Sequence, residues 1–171
     1  FKRVRDSETR ISVFSSHPLG AQRIAALDTQ AATLKPGGDR GRERHRAAIR
    51  PHLGAWLRDD LRKRDLGQTL VVIGRLAADS EDLGVLNYYR GEAYRMRRGD
   101  GDLAKARDAY LTAAVHADAP AAVWRELGDI RRRDGDLAGA RTAYESYLAK
   151  APQAEDAWMV QDSLSSLDKG K

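Results

Sequence analysis

The residues that could do chemistry in this 171-residue chain are few, and their spacing suits little of it. Four histidines, His17, His45, His52 and His116, are the candidate imidazole ligands or bases. A helical zinc-peptidase site needs two His four apart with a Glu between them. Both rings then reach one metal while the carboxylate activates water. No HExxH string occurs. His45 and His52 are seven apart, about 10 Å of helical rise, too far for an easy chelate. Asp59 and Asp60 are adjacent, so on a helix they diverge by about 100° and make no acid/base pair. There is no Cys, which excludes disulfides, thiolate metal sites and a cysteine nucleophile. Asp100, Asp102, Asp134 and Asp136 fall between expected helices, where Asp serves as an N-cap. A calcium loop would need more carboxylates in its frame. Ser163, Ser165 and Ser166 have no His nearby in sequence, and no Gly-rich phosphate loop precedes a helix. The expectation is that this chain is not an enzyme by itself, with no catalytic residue, no metal ligand and no cofactor of its own.

Charge is uneven along the chain. Residues 1–75 hold 16 Lys/Arg against 8 Asp/Glu, and residues 76–171 hold 14 against 17. A basic half suits nucleic acid or an acidic surface. Yet no aromatic residues interleave with Arg40-Gly41-Arg42-Glu43-Arg44-His45-Arg46, and no nucleic-acid motif is present. No nucleic-acid partner is expected. No apolar run is long enough to span a membrane. Phe1 is not a natural start, so the chain reads as a fragment or a processed form.

The elements behind these residues read as all-α. Ala and Leu carry the apolar load, and strand-like β-branched enrichment is confined to Leu70–Ile73. Residues 1–16 read as a polar arm. Ile24, Leu27, Ala31 and Leu34 share one face of a helix from Leu19 to Leu34. Lys35-Pro36-Gly37-Gly38-Asp39 ends it. Leu53, Trp56, Leu57 and Leu61 mark the next helix. Pro51 either sits in its first turn or kinks a longer helix begun near Glu43. Asp65-Leu66-Gly67 makes a turn, and Gln68–Ala78 return with Leu70, Ile73 and Leu76 or Ala77 inward. This pair reads as a degenerate helical hairpin. The expected organisation is an N-terminal arm and helix (1–38), the degenerate hairpin (39–79), and a repeat region with a capping helix (80–171).

Two stretches of the last region repeat at a spacing of 34 residues. Gly101-Asp102-Leu103-Ala104, Ala106-Arg107 and Ala109-Tyr110 recur as Gly135-Asp136-Leu137-Ala138, Ala140-Arg141 and Ala143-Tyr144, and Trp124 recurs at Trp158. The order Trp124, Leu127-Gly128, Ala140, Tyr144 and Pro152 resembles the tetratricopeptide repeat. The departures are Arg131, where an aromatic is usual, and Tyr147, where Ala is usual. The earlier repeat, with Gly91, Tyr94, Ala106, Tyr110 and Ala113, carries three extra residues between its helices. The resemblance covers residues 83–167. It implies a solenoid of helical hairpins closed by a polar capping helix, with a concave surface for a protein or peptide. Small Gly128 and Ala140 are expected where two helices cross closely. By repeat register the concave face presents Tyr88, Glu92 and Arg95 from one helix, and Arg125, Asp129 and Arg132 from the next. These are the expected peptide-binding residues. Each trio shares a helix face, and arginine can fork a carboxylate.

Ser16-His17-Pro18-Leu19-Gly20-Ala21-Gln22-Arg23-Ile24 looks like the HPxxxxR segment that follows the catalytic region of M48-family zinc metallopeptidases, with Ser16 where Thr is usual. In envelope members of that family, a linker and tetratricopeptide repeats follow, and both parts occur here in that order. The resemblance implies a parent with a zinc-bearing peptidase domain, a bacterial periplasmic or envelope location, and a repeat region that recognises or positions substrate and partner proteins. His17 either approaches the metal cleft of such a parent or is structural, and Arg23 reads as structural. The other reading is a free-standing scaffold or co-chaperone in the cytoplasm, without a protease parent.

Overall fold

The computed structural model describes residues 20–34, 37, 41–78 and 80–169. The polar arm and His17 lie outside them. The chain divides into two compact units, Phe1–Glu43 and Arg44–Lys171. In the first, α1 (Gly20–Ala32) is the main described element. Ile24 and Leu27 on its expected apolar face are half-buried, and Leu34 beyond it is 68% exposed. Arg23 is exposed.

Helix α2 (Arg42–Ile49) runs into a 3-10 turn, Arg50–His52, and then α3 (Leu53–Arg62). Of the two readings for Pro51, the one with a longer preceding helix fits: a helix begun at Arg42 reaches it and is interrupted there by the 3-10 turn. The ring cannot continue the hydrogen-bond ladder of that helix, so the α-helical ladder stops before it. Leu53, Leu57 and Leu61 are buried along α3, but Trp56 turns outward and stacks on His52. Helix α4 (Leu66–Ala77) starts earlier than the turn signal suggested, because the Asp65 carboxylate accepts the Gln68 N–H and caps it. Ile73 is fully buried, Ala77 is half-buried, and Leu76 faces solvent. Thr69, also buried, donates to Asp60 at 2.8 Å and ties α4 to α3.

Two hairpins follow, α5 (Leu83–Arg97) with α6 (Asp102–Ala114) and α7 (Ala122–Arg133) with α8 (Leu137–Lys150). Helix α9 (Ala157–Lys169) ends the described chain. Helices α3 to α9 pack chiefly on their sequence neighbours, with α3 also on α5. Successive hairpins stacked this way form an all-α helical-repeat solenoid, as expected. Three adjoining apolar clusters run through it. The first is centred on Leu57, Ile73 and Leu86, the second on Tyr110, Val123 and Leu127, and the third on Tyr144, Tyr147 and Val160. The hairpins are also stitched across the repeat. The Asp118 carboxylate, from the α6–α7 turn, accepts the Gly84 and Val85 N–H groups and caps α5. A Cβ on Gly84 would stand 2.5 Å from the Ala119 nitrogen.

The two inter-helix turns differ as their lengths require. In the shorter one, Gly135 takes the left-handed conformation and Asp136 caps α8. In the longer one, Arg98 and Gly101 are left-handed and Asp102 is not the N-cap. Asp102 is instead 1% exposed and held in a fork by Arg97 at 2.7 and 2.8 Å, with the Gly99 N–H at 2.9 Å. Those bonds hold its carboxyl well below the usual range, the Arg97 guanidinium first. A folded-state pKa below the unfolded one stabilises above the unfolded value, and that contribution is lost as pH falls through the folded value. Asp102→Asn should therefore lower the melting temperature at neutral pH. The gap to wild type should close as pH falls below about 4. A gap unchanged down to pH about 2 would show that Asp102 acts by shape alone.

Candidate peptide groove and its ion network

The first helices of the two hairpins place Tyr88, Glu92 and Arg95 on α5 and Arg125, Asp129 and Arg132 on α7. These residues are not equally free. Glu92 is buried, and Arg95 forks it, Nε to Oε1 at 3.1 Å and Nη2 to Oε2 at 2.5 Å. Tyr110, fully buried on α6, donates to the same Glu92 Oε1 at 2.6 Å. Arg95 also approaches Glu126 Oε2 at 3.6 Å and so bridges α5 to α7. Glu126, buried in turn, receives Arg125 Nη2 at 2.6 Å, and Arg125 extends to Asp156 ahead of α9. Asp156 is bonded by the Tyr147 hydroxyl of α8. One chain of bonds thus runs Tyr110, Glu92, Arg95, Glu126, Arg125, Asp156, Tyr147, through both hairpins and into the approach to α9.

The electrostatics follow from burial. Glu126 is raised by burial and then by the negative charge of Glu92, against the pull of Arg125 and Arg95. Tyr110 and Tyr88 are pushed far above the phenol range, by burial first and Glu92 next. Tyr147 is pushed up to about 12 by burial and by its bond to Asp156. Asp156 is lowered, by that hydroxyl first and Arg125 after it. Burial opposes the charge of Arg125, but its bonds to Glu126 and Asp156 outweigh this and raise it. Two largely buried carboxylates beside each other would be unfavourable, and Arg95 and Arg125 make the arrangement tolerable.

A second motif recurs. Tyr144 donates to Asp129 at 2.6 Å as Tyr110 does to Glu92. In both hairpins the acid follows a glycine that carries the tyrosine ring, Gly91 under Tyr110 and Gly128 under Tyr144. Gly128 is therefore small to admit the Tyr144 ring, while Ala140 is fully buried in the cluster next to it. The unusual Arg131 donates to the Gly139 carbonyl across the hairpin at 3.1 Å, and the unusual Tyr147 joins the network. Trp124 is half-buried with Lys150 at 4.4 Å over its ring. Trp158, one period on, is 66% exposed, because no following helix covers it among the described residues.

Of the six expected groove residues, Glu92, Arg95 and Arg125 are committed to the network, and Asp129 is held by Tyr144. Tyr88 is half-buried against Tyr89 and Tyr110, and Arg132 is exposed. Glu126, Asp156, Tyr110 and Tyr147 escaped the sequence reading as members of the site. The one signal for them was the Tyr110–Tyr144 period. Among the described residues no group of three His, Asp or Glu is placed to hold a metal ion, and no helix is long and apolar enough to cross a membrane.

Residues 121–161, which are α7, α8 and the start of α9, match the family model described as tetratricopeptide repeat. The hairpin stack and this match define a helical-repeat fold, of the kind tetratricopeptide repeats build. No curated protein and no solved structure matches the chain.

Proposed function

We propose that this chain is a protein-interaction module that takes a peptide or protein segment against the α5–α7 face, at Tyr88, Glu92, Arg95, Arg125, Asp129 and Arg132. The tetratricopeptide match over residues 121–161 carries this reading. The ion network refines it. Glu92, Arg95, Glu126 and Arg125 form a fixed floor, and Arg132 is the exposed cation that meets the partner. Arg132→Glu, combined with the charge-keeping Arg95→Lys, should abolish capture of the protein that wild type retrieves, and the circular dichroism spectrum should be unchanged. Equal capture by the folded variant would remove this face as the binding site.

The parent we propose is an M48-type zinc metallopeptidase of the bacterial envelope, in which these repeats recognise or position substrate and adjoin the peptidase domain. The support is the order of parts, His17-Pro18 through Arg23 ahead of the repeats. The coding sequence upstream of Phe1 tests it. An HExxH there is the expected result. A start codon near Phe1 would leave a free-standing scaffold, with the cytoplasm as the alternative location.

A further inference from the structure

The ends of the first helices gather arginines at the edge of the α5–α7 face. A cleft of about 700 Å³ between the α3–α4 turn and the end of α5 is lined by Arg64, Arg95, Arg97 and Arg98, with Asp65 the one acid. A second, of about 600 Å³, shares Arg95 and Arg98 with it and adds Arg133, with Asp100 the one acid. The arginines divide by role. Arg95 and Arg97 are spent on Glu92 and Asp102. Arg64, Arg98 and Arg133 are exposed and have no ion-pair partner among the described residues.

A backbone observation points the same way. Arg64 (φ 61°) and Arg98 (φ 55°) are the non-glycine residues with left-handed backbone, each just after the end of a first helix. That conformation favours glycine, and strained backbone concentrates at functional sites. At the corresponding turn after α7 the chain uses glycine, Gly135, at φ 82°. The same fold therefore accepts Gly at this step, yet carries arginine at the two turns that wall the cleft.

We propose that Arg64, Arg98 and Arg133 form a docking site for an acidic peptide segment, one with clustered Asp and Glu. Guanidinium groups fork carboxylates, and unpaired ones have no internal bond to give up on binding. No aromatic side chain lines either cleft, so the stacking platform that single-stranded nucleic acid uses is missing. Leu66, Met96 and Leu103 supply apolar contact for the peptide's stems. Arg95 lines both clefts and belongs to the first groove trio, but it is committed to Glu92. Arg64, Arg98 and Arg133, which carry the proposal, belong to neither trio, so variants at them test this site apart from the groove.

The test titrates a fluorescent oligoglutamate peptide into the full chain. Arg64→Gly with Arg98→Gly should weaken binding about tenfold, because two forks are lost. The same change should leave the melting temperature level or higher, since glycine relieves both backbones. Arg58→Gln with Arg107→Gln removes the same charge elsewhere and should change affinity by less than about twofold. Arg132→Glu, the groove variant, should leave the fork-dependent loss intact. Equal losses from the two double variants would reduce the effect to net charge and overturn the proposal, as would a fall in melting temperature that accounts for the lost binding. Tighter binding of a single-stranded oligonucleotide of equal charge, lost in the same glycine variant, would reassign the cleft to nucleic acid.

Discussion

A single methyl group at Gly128 is expected to cost about 1–3 kcal/mol of folding stability. A Cβ there would lie 2.5 Å from Tyr144 Cδ1 and 3.0 Å from its Cζ. The ring cannot swing aside, because Tyr144 is 1% exposed and its hydroxyl is tied to Asp129 at 2.6 Å. The equivalent Gly91→Ala should cost a similar amount, with Tyr110 Cδ1 at 2.6 Å and its hydroxyl bound to Glu92. Gly74→Ala is the control with opposite sign. Nothing lies within 4 Å of its Cβ position inside α4. Alanine at an exposed helical site should stabilise by roughly 0.5–1 kcal/mol. Urea unfolding of the three variants decides the matter. Gly128→Ala as stable as wild type would mean that the ring-on-glycine contact does not hold the hairpin.

Removing the Arg95 guanidinium should be comparably damaging. It faces two largely buried carboxylates, Glu92 and Glu126, whose side chains are 11% and 10% exposed. Breaking such a set from one side leaves uncompensated charge. Arg95 itself is 44% exposed, so water screens part of the loss and about 1–3 kcal/mol is expected for Arg95→Met at neutral pH. The sign of the pH dependence separates this from simple lost packing. Glu126 is already raised by burial and by Glu92, and loss of Arg95 raises it further. A raised folded-state pKa favours the fold below the unfolded value and penalises it as pH rises through the folded one. The deficit of Arg95→Met should thus shrink as pH falls toward about 4. Adding Glu126→Gln should recover part of it at neutral pH. If the deficit is independent of pH and the double variant is no better, charge compensation is not what Arg95 supplies.

The helical-hairpin repeat was legible in the order of residues alone. The 34-residue recurrence of Gly-Asp-Leu-Ala and Ala-Tyr follows from local requirements, a turn glycine, an acid at the start of the second helix (the N-cap at Asp136, the partner of Arg97 at Asp102) and small residues on a packed face. Each of these shows in one dimension. The end of α8 before Pro152 and the buried faces of α3 and α4 were legible for the same reason. The role of Pro51 was left between two readings, because proline is compatible with a first turn or a break, and only the preceding helix α2 and the 3-10 turn after it decided it. Trp56 and Trp158 carried apolar signals yet face solvent, since periodicity does not say whether a neighbour exists to cover a side chain. The candidate groove was legible as a register of six positions and nothing more. Which of those charges are free depends on partners distant in sequence, Tyr110 for Glu92, Glu126 for Arg95 and Asp156 for Arg125. The left-handed backbones of Arg64 and Arg98 were invisible as well, because arginine at those positions carries no local signal for that conformation.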